Sequence, residues 1–360
     1  DFVVRGGGPA ENRFYLDGVE LPILNHFATQ GASGGVVSIV NIDFVKEVNF
    51  FSGAFPASYG NMMSSMLEFR QIEGNPDRVK TRVTFGATDY GLSLDGPLAP
   101  KTTFIVSARR SYLKMLFGII GLPFLPVYND MQFKTVTRLN ARNEWTLLGI
   151  GGYDINRLNT DLKNPDDHQK YLLDWLPESR QWSYTLGTTF KHYGNNWYHF
   201  VLSRSGLYNK VEKYTGNDRH NPKTIDYRSG ESENKFRFEH HRYAANGFKL
   251  QVGAGIEYAH YDNTTARRLF AAGEAIDQYY SRALNMWKWA VFGQVSRSFF
   301  SERLALSLGL RADGCNYTGK TAALYRQISP RFSFSYAFDE RWSLNGNIGR
   351  YYQLPAYTTL

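Results

Sequence analysis

The sequence predicts a mostly β fold, a transmembrane antiparallel β-barrel that follows a folded α+β segment. The composition and the residue pattern of the 360-residue chain change near Asn75. A glycine-rich segment without a single repeating pattern is followed by predicted strands with alternating polarity, rich in Tyr, Phe and Trp. Very short turns and long polar loops join these strands mostly in alternation, which is typical of outer-membrane barrels. We therefore predict two domains, residues 1–75 and residues 76–360.

Alternation with a period of two is the main evidence for the strands. Residues 304–311 place leucine at every even position and Ala305, Ser307, Gly309 and Arg311 at the odd positions. A face of small and charged side chains cannot form a core of normal packing density, but it suits a lumen that holds water or a plug. The apolar face would then contact lipid.

The same pattern, followed along the chain, predicts thirteen strands. Because about ten tilted residues cross the hydrocarbon layer, most of these strands are long enough to project beyond it. The predicted strands are 79–87, 90–97, 102–112, 130–140, 144–156, 181–193, 197–214, 231–244, 248–266, 285–299, 304–317, 328–338 and 342–353.

The connections between the predicted strands fall into two classes. Apart from the first connection, at Thr88 and Asp89, short turns alternate with long segments, which places tight turns in the periplasm and long loops outside. The long segments lie near 113–129, 157–180, 215–230, 267–284 and 318–327. Tryptophans beside both classes predict two interfacial belts, with Trp182, Trp287 and Trp289 near long loops and Trp197 and Trp342 near short turns.

The number of strands also carries an expectation. Thirteen is odd, and the last predicted strand ends on the long-loop side. An open edge cannot lie in hydrocarbon, because its amide and carbonyl groups would have no partner. We therefore expect this chain to be part of a longer protein whose remaining strands close the barrel.

Composition excludes several classes of function. The formal net charge is +8, but Lys and Arg are scattered and often alternate with aromatic residues, which disfavours a nucleic-acid partner. Cys315 is the single cysteine, so an internal disulfide framework is excluded. Mean hydropathy is −0.41, and no run approaches the roughly eighteen apolar residues of a spanning helix. Neither a catalytic set nor a metal or cofactor site emerges, so we predict no enzyme activity.

The first seventy-five residues carry an ordered series of motifs: an Arg-Gly strand, Leu-Asp-Gly-Val, a strand ending near Glu47-Val48, Gly-x-x-Pro-x-x-Tyr-Gly and a final strand. This order, followed directly by barrel strands, resembles the plug of TonB-dependent outer-membrane receptors, especially the type common in Bacteroidetes. The resemblance implies a barrel of 22 strands with a plug in its lumen. The motif residues are Arg5, Gly6, Asp17, Gly18, Gly53, Pro56, Tyr59 and Gly60.

The resemblance also implies a function. Members of this family import a scarce ligand, such as a siderophore, haem or a glycan, across the bacterial outer membrane when the plug rearranges. The partners implied are the nutrient ligand, outer-membrane lipid and TonB of the inner-membrane energy complex, although none of these residues corresponds to the TonB-binding box of the family.

Candidate ligand contacts follow from the apex of the family's plug. The matching positions are Arg5 and residues 24–30, with His26 and Phe27 as the principal contacts and Asn25 and Gln30 beside them. Arg5 has an alternative role, in which it pairs with a carboxylate of the barrel wall and seats the plug. In the long loops, the candidates for ligand contact or for ordinary loop packing are Tyr171, Trp175, Tyr214, Tyr279 and Tyr280.

Residues 115–127 are mostly apolar and include two prolines, but they are too few to span a membrane. They predict either a surface patch that meets a lipoprotein or a loop folded into the lumen.

Two other functions stay open from the sequence. A passive, unplugged porin would conduct ions without an energy source. A soluble extracellular β-rich glycan-binding protein would bury the alternating aromatic residues. Ligand identity is not encoded in the shared scaffold, because selectivity lies in the loops.

Overall fold

The computed structural model describes residues 2–32, 34–35, 37–271 and 274–360. Residues 2–75, here called the N-terminal segment, contain a sheet of four strands: β1 Asn12–Leu16, β2 Val19–Leu21, β3 Val45–Phe51 and β4 Ser65–Gln71. The order in the sheet is β2-β1-β4-β3. β1 pairs parallel with β4, and the other two pairs are antiparallel.

A second sheet, here called the wall, has thirteen strands, and each strand pairs antiparallel with the next one in the chain. The predicted domain boundary near Asn75 lies between the two sheets. The strands of the wall are β5 Lys80–Phe85, β6 Asp89–Ala99, β7 Thr102–Ser111, β8 Phe124–Asn140, β9 Asn143–Leu158, β10 Glu178–His192, β11 Asn196–Tyr214, β12 Lys223–Tyr243, β13 Lys249–Ala271, β14 Glu274–Phe299, β15 Leu304–Cys315, β16 Ile328–Ala337 and β17 Ser343–Gly349.

The α-helices of the described chain lie in connections between strands of the wall. The α-helices are α1 Leu113–Ile120, α2 Asp167–Trp175 and α3 Gly319–Ala322. Short 3-10 helices cover Pro9–Glu11, Ile42–Phe44, Thr215–Asn217, Leu324–Arg326 and Tyr357–Thr359. None of the described helices is both long enough and apolar enough to cross a membrane.

The thirteen predicted strands are confirmed, but two predicted loops are largely strand. β12 begins at Lys223 instead of residue 231, and β13 and β14 extend as a hairpin to Ala271 and Glu274. Both faces of this extension meet water, so its sequence lacks the apolar rows that mark the membrane part. The hairpin is held by its ladder and by the ion pair of Arg268 with Asp277 at 2.7 Å.

The predicted opening strand is wrong. Arg5 and Gly6 form a turn with φ values of 54° and 77°, and the Gly7 N–H donates to the Val4 carbonyl at 3.0 Å. Extended strands do not contain positive φ angles, so the predicted Arg-Gly strand is a turn at Arg5 and Gly6.

The outer face of the wall carries the predicted apolar rows. Leu308 and Leu310 are 57% and 54% exposed, and Trp182 and Leu186 are 46% and 47% exposed. No second layer of described residues covers them, so the double-layered soluble alternative does not fit. Trp197 departs from the predicted belt, because it stacks on His241 of the inner face with ring centroids 3.7 Å apart.

The wall curves around the N-terminal segment. Arg82 of β5 pairs with Asp43 at 2.6 Å, and Asn347 of β17 lies 3.2 Å from the position of a Cβ on Gly53. Because neighbouring strands lie about 4.8 Å apart, a flat sheet would separate β5 from β17 by about 58 Å. Contact of both strands with one small segment therefore requires strong curvature. Among the described residues, β5 and β17 do not pair with each other.

Candidate functional site at the interface of the N-terminal segment and the wall

Two arginines of the wall hold the Gly-x-x-Pro-x-x-Tyr-Gly loop by its main chain. Arg331 donates to the carbonyls of Phe55, Pro56 and Tyr59 at 3.1, 2.6 and 2.9 Å. Arg311 donates to the two carbonyls between them, of residues 57 and 58, at 3.1 Å each. Every carbonyl from Phe55 to Tyr59 thus accepts a hydrogen bond from a charged donor, the stronger kind.

The contacts of this loop explain why its motif ends in Tyr59 and Gly60. A Cβ on Gly60 would lie 2.4 Å from Nε of Arg311, so a larger residue there would displace the guanidinium. Tyr59 is held between Tyr15, with ring centroids 4.5 Å apart, and the guanidinium of Arg237, 5.0 Å above its ring. Burial raises the pKa of the Tyr59 hydroxyl well above its usual value, so the ring stays neutral.

The Leu-Asp-Gly motif forms the turn between β1 and β2. Asp17 and Gly18 have positive φ angles of 50° and 85°, a conformation that glycine adopts without cost. Asp17 pairs with Lys134 of β8 at 3.0 Å and accepts a bond from the Gln71 amide at 3.0 Å. The Gly18 carbonyl accepts from Arg237 at 2.9 Å. The motif therefore ties the turn to both β4 and the wall.

His26 is enclosed between two carboxylates of the wall. Its Nδ1 lies 2.6 Å from Asp154 and its Nε2 lies 3.0 Å from Asp130, and none of the side chain is exposed. Tyr128 stacks on the imidazole with centroids 4.4 Å apart. Arg109 connects Asp130, at 2.9 Å, to the carbonyl of residue 38, at 2.7 Å.

These contacts set the charge of His26. Burial alone would lower its pKa, but the hydrogen bonds that the ring donates to Asp130 and Asp154 outweigh burial, so the pKa of His26 is raised above its usual 6.5. The enclosed ring cannot contact a ligand in this conformation. His26 instead takes the seating role that the sequence offered as the alternative for Arg5.

The segment after His26 continues along the inner face. The Phe27 amide donates to Asp154 at 2.6 Å, and Phe27 has a φ of 54°, which is uncommon for a bulky residue. Gln181 of β10 bonds both the amide and the carbonyl of Ala28, at 3.1 and 2.7 Å. Gln30 donates to Glu231 at 3.1 Å and accepts from Asn209, Tyr227 and Ser229.

Apolar contacts join the N-terminal segment to β9, β10 and β11. Leu148 and Ile150 of β9 and Val201 and Leu207 of β11 belong to one buried cluster with residues of the N-terminal segment. Gly187 of β10 faces this cluster, and a Cβ there would lie 2.6 Å from Val19. The N-terminal members of the cluster are Phe14, Leu16, Val19, Leu21, Ile23, Ala28, Ile39 and Val40.

Charged contacts dominate toward β12, β13 and β14. Lys235 lies 2.8 Å from Glu20 of β2, 2.7 Å from Glu233 and 3.5 Å from Glu257. Lys288 of β14 pairs with the same two wall carboxylates. The hydroxyl of Tyr357 bonds both Glu233 and Lys288.

The other predicted ligand contacts do not come together into one site. Arg5 is exposed and donates to the Ser52 carbonyl, not to a wall carboxylate. Tyr171 and Trp175 lie on α2, 56% and 70% exposed, with ring centroids 5.9 Å apart. Tyr214 ends β11 beneath Lys223, whose Nζ is 5.8 Å from the ring. Tyr279 and Tyr280 lie on the β14 extension, 71% and 53% exposed. Asn25 forms a β-bridge with Ser38.

The apolar stretch at residues 115–127 does not fold into the lumen. Met115 and Ile119 of α1 line a groove with Leu125 and Val127, which lie on the outer face of β8. Contact of this helix with a surface lipoprotein stays a prediction.

Sequence reasoning missed the wall residues that hold the N-terminal segment. Asp130, Asp154, Arg311 and Arg331 all point inward from the wall, and the alternation of residues 304–311 placed Arg311 alone on that face. Their partners could not be found in the same way, since His26 and Asp154 are separated by 128 positions. No group of three or more His, Cys, Asp or Glu side chains in the described part of the chain is arranged to hold a metal ion.

The fold and this interface define a class of protein: a bacterial outer-membrane β-barrel whose inner face holds a folded N-terminal segment. The family described as TonB dependent receptor-like, beta-barrel matches residues 121–360. The chain belongs to this family, whose members are outer-membrane transporters and not enzymes.

Solved structures share the fold at low sequence identity. The ferric enterobactin receptor PfeA of Pseudomonas aeruginosa has a TM-score of 0.69 at 16% identity, over 98% of this chain and 56% of its own. The siderophore receptor PirA of Acinetobacter baumannii has a TM-score of 0.69 at 13% identity, over 98% and 55%. The outer membrane transporter YddB of Escherichia coli has 0.65 at 13%, over 98% and 54%. This chain thus spans little more than half the length of these structures. No curated protein sequence matches it.

Proposed function

We propose that the protein imports a scarce nutrient across the outer membrane, with the N-terminal segment as the plug that blocks the lumen at rest. The observation that carries this proposal is the seating of the segment. Two arginines of the wall donate hydrogen bonds to every backbone carbonyl from Phe55 to Tyr59, and two carboxylates of the wall enclose His26. A passive porin has no use for such a segment on its inner face.

Import past a plug requires work, and the outer membrane holds neither ATP nor an ion gradient. Membership of the TonB dependent receptor-like family supports TonB as the source of this work. Local opening of the plug costs far less than unfolding the barrel, so a pull on one part of it is sufficient.

The first contacts with the ligand are the exposed aromatic residues of the long loops. Tyr171 and Trp175 on α2, and Tyr279 and Tyr280 on the β14 extension, present large exposed rings. A ferric siderophore is the first ligand to test, because two of the similar structures are named for siderophores. Haem and glycans are the next.

The test is growth of a deletion strain on a panel of iron sources and glycans. We expect the deletion to abolish growth on one nutrient only, and the wild-type gene to restore it. Disabling the energy complex in the parent strain is expected to abolish growth on that nutrient to the same extent. Replacement of Tyr171 and Trp175 by alanine is expected to weaken uptake of that nutrient with normal amounts of protein in the membrane. A strain that grows like its parent on every nutrient contradicts the proposal.

A further inference from the structure

A cation lies on the lipid-facing side of the wall, within the membrane layer. Arg204 of β11 has the same parity as Leu202, which is 54% exposed on the outer face, and Arg204 itself is exposed. It lies four residues before Tyr208 and six residues after Tyr198, between the aromatic rings at the two ends of the lipid-facing part of this strand. An arginine in this position destabilises a barrel, most strongly at the middle of the bilayer. Charged residues of this kind mark functional sites and require a partner.

Among the described residues, the hydrogen-bond partners of Arg204 are neutral. Its Nε donates to the Tyr184 hydroxyl at 3.0 Å, and its Nη1 donates to Oδ1 of Asn234 at 2.8 Å. Its neighbour in the β10 ladder is Leu186. A guanidinium carries five N–H donors, so these two bonds leave donors and the positive charge for a group outside the wall. A phosphate accepts such donors in pairs, because its oxygens match the planar fork of the guanidinium.

Three aromatic rings, here called the ring stack, lie between Arg204 and the long-loop end of the wall. Trp182 stacks with both Tyr184 and Tyr208, with ring centroids 5.3 and 4.5 Å apart. A Cβ on Gly206 would lie 2.6 Å from the Tyr184 ring, so glycine makes room for this arrangement. Trp and Tyr rings of membrane proteins lie at the level of the lipid headgroups. The ring stack therefore marks the headgroup level on the long-loop side, and the Tyr184 hydroxyl connects Arg204 to it.

An apolar groove of about 280 Å³ lies next to Arg204 on the outer face, toward the short turns. Leu202, the next outward residue of β11, lies opposite Thr188 of β10 and Phe236 of β12. Trp145 of β9 closes one side of the groove, and its indole Nε1 donates to Oγ1 of Thr188 at 2.7 Å. The rest of the described lining is Leu139, Phe190 and Phe200. Since the indole donor is already bonded, this lining suits an acyl chain.

We propose that the outer face of β8 to β12 binds one anionic, phosphate-bearing lipid of the outer leaflet, with its phosphate at Arg204 and an acyl chain in the groove. Charge complementarity favours this occupant, because the guanidinium meets the anionic part of such a lipid at the headgroup level. The groove is also continuous with the apolar rows of the outer face. The site is separate from the proposed transport function, since its residues face away from the lumen. It lies in the middle of the wall, away from β5 and β17.

A second copy of the chain is the alternative occupant. A two-fold contact brings the same surface of both copies together. Here it would place one Arg204 close to the other, and the groove and the ring stack contain no carboxylate to accept either guanidinium. The anionic lipid is therefore the better match.

The test measures lipid binding to the full-length receptor in detergent by native mass spectrometry. The two probes are phosphatidic acid and diacylglycerol with the same acyl chains, which differ only in the phosphate. We expect one phosphatidic acid to bind at least about tenfold more tightly than diacylglycerol. Arg204→Ala is expected to weaken this binding roughly tenfold to a hundredfold, because hydrogen bonds from a charged donor are lost. Arg204→Lys keeps the charge without the planar fork and is expected to weaken it less.

Further variants locate the site on the wall. Leu202→Trp fills the groove without removing the charge, and it is expected to weaken binding of phosphatidic acid roughly tenfold. Its matched control is Leu308→Trp, which places the same indole on the outer face of β15 and is expected to leave binding unchanged. The matched control for Arg204→Ala is Arg297→Ala, which removes an arginine that lies over Phe248 and Phe299 near a short turn. It is also expected to leave binding unchanged.

Three binding results overturn the proposal. The first is equal affinity for phosphatidic acid and diacylglycerol, or equal binding in wild type and Arg204→Ala. The second is displacement of the lipid by millimolar inorganic phosphate, which would indicate a site for a free anion. The third is a wild-type dimer that becomes a monomer in Arg204→Ala, which would assign this surface to a second copy.

Thermal unfolding in lipid vesicles separates lipid binding from a purely structural role of Arg204. The vesicles consist of phosphatidylcholine, with or without phosphatidic acid. Added phosphatidic acid is expected to raise the unfolding temperature of the wild type more than that of Arg204→Ala, because a ligand stabilises only the protein that binds it. If Arg204→Ala instead lowers the unfolding temperature by the same amount in both kinds of vesicle, then the bonds to Tyr184 and Asn234 are its whole role and the lipid site is rejected.

Discussion

Replacement of Arg331 by alanine is expected to loosen the loop at residues 53–60 without unfolding the barrel. The side chain is 7% exposed and donates to three carbonyls of the loop. A hydrogen bond from a charged donor contributes about 1.5–3 kcal/mol, and such bonds are not additive. Loss of the Arg331 side chain leaves three neutral carbonyls without that donor, and a total of about 3–5 kcal/mol corresponds to roughly two such bonds. We take this range for the loss in local opening free energy.

Hydrogen exchange of two amides measures this loss. The Ala57 amide is bonded to Gln294 at 2.8 Å and the Tyr59 amide to the Pro56 carbonyl at 3.1 Å, so both are protected while the loop is seated. Because every 1.4 kcal/mol is a factor of ten, exchange is expected to accelerate roughly a hundredfold to a few thousandfold.

Two variants make the result specific. Arg331→Lys keeps the charge but loses the planar fork, so it is expected to give an intermediate acceleration. Arg204→Ala removes an arginine that bonds Tyr184 and Asn234 on the outer face, and it is expected to leave both amides protected. An acceleration below about threefold in Arg331→Ala would refute the idea that these bonds hold the loop.

Three further changes test the other parts of the structure. Because the pKa of His26 is raised, its charged form stabilises the contact between His26 and the wall below pH 6.5, and this contribution is lost as the pH rises through the raised value. Protection of amides 25–28 from hydrogen exchange, corrected for intrinsic exchange, is therefore expected to fall as the pH rises. Gly187→Leu would press on Val19, where a Cβ already lies at 2.6 Å, and is expected to cost about 1–3 kcal/mol and to increase proteolysis of the N-terminal segment. Leu308→Arg places a charge on a side chain 57% exposed on the outer face and is expected to lower the unfolding free energy in lipid vesicles by about 2–4 kcal/mol.

Each of these changes has a control. His26→Gln keeps hydrogen-bonding atoms but does not titrate, so protection that still falls with pH in this variant would rule out His26 as the source. Gly293→Ala adds a methyl group whose nearest neighbours are 3.8 Å away, and equal proteolysis in both glycine variants would argue against crowding at Val19. Glu302→Arg lies in a turn, and an effect as large as that of Leu308→Arg would contradict lipid contact at residue 308.

The wall was predictable because the membrane imposes a simple rule on it. Lipid on one side forces every second residue of a strand to be apolar, and Leu304 to Leu310 show this rule directly. The hairpin beyond Arg267 obeys no such rule, since water lies on both of its faces. The sequence therefore predicted a loop where the structure has strands to residues 271 and 274.

For the contacts between the N-terminal segment and the wall, the sequence predicted which side chains face the lumen but not the partners that they bind. Parity placed Arg311 on the lumen side, but it could not say that its partners are carbonyls of residues 57 and 58. Contacts between residues that are far apart in the sequence depend on how the wall curves, and the alternation within a single strand does not indicate that curvature. For the same reason His26 was assigned to ligand contact, while the structure buries it against two carboxylates.

The way in which Arg311 and Arg331 hold residues 55–59 has an evolutionary consequence. Their partners are main-chain oxygens, which every amino acid supplies, so the hydrogen bonds themselves do not depend on the side chains at positions 57 and 58. Burial limits these positions instead, because Ala57 and Ser58 are 0% and 6% exposed and have room only for small residues. Covariation between this loop and the two arginines should accordingly be weak, and exchange of the loop between related receptors should succeed wherever its backbone path, its glycine at position 60 and small residues at positions 57 and 58 are kept.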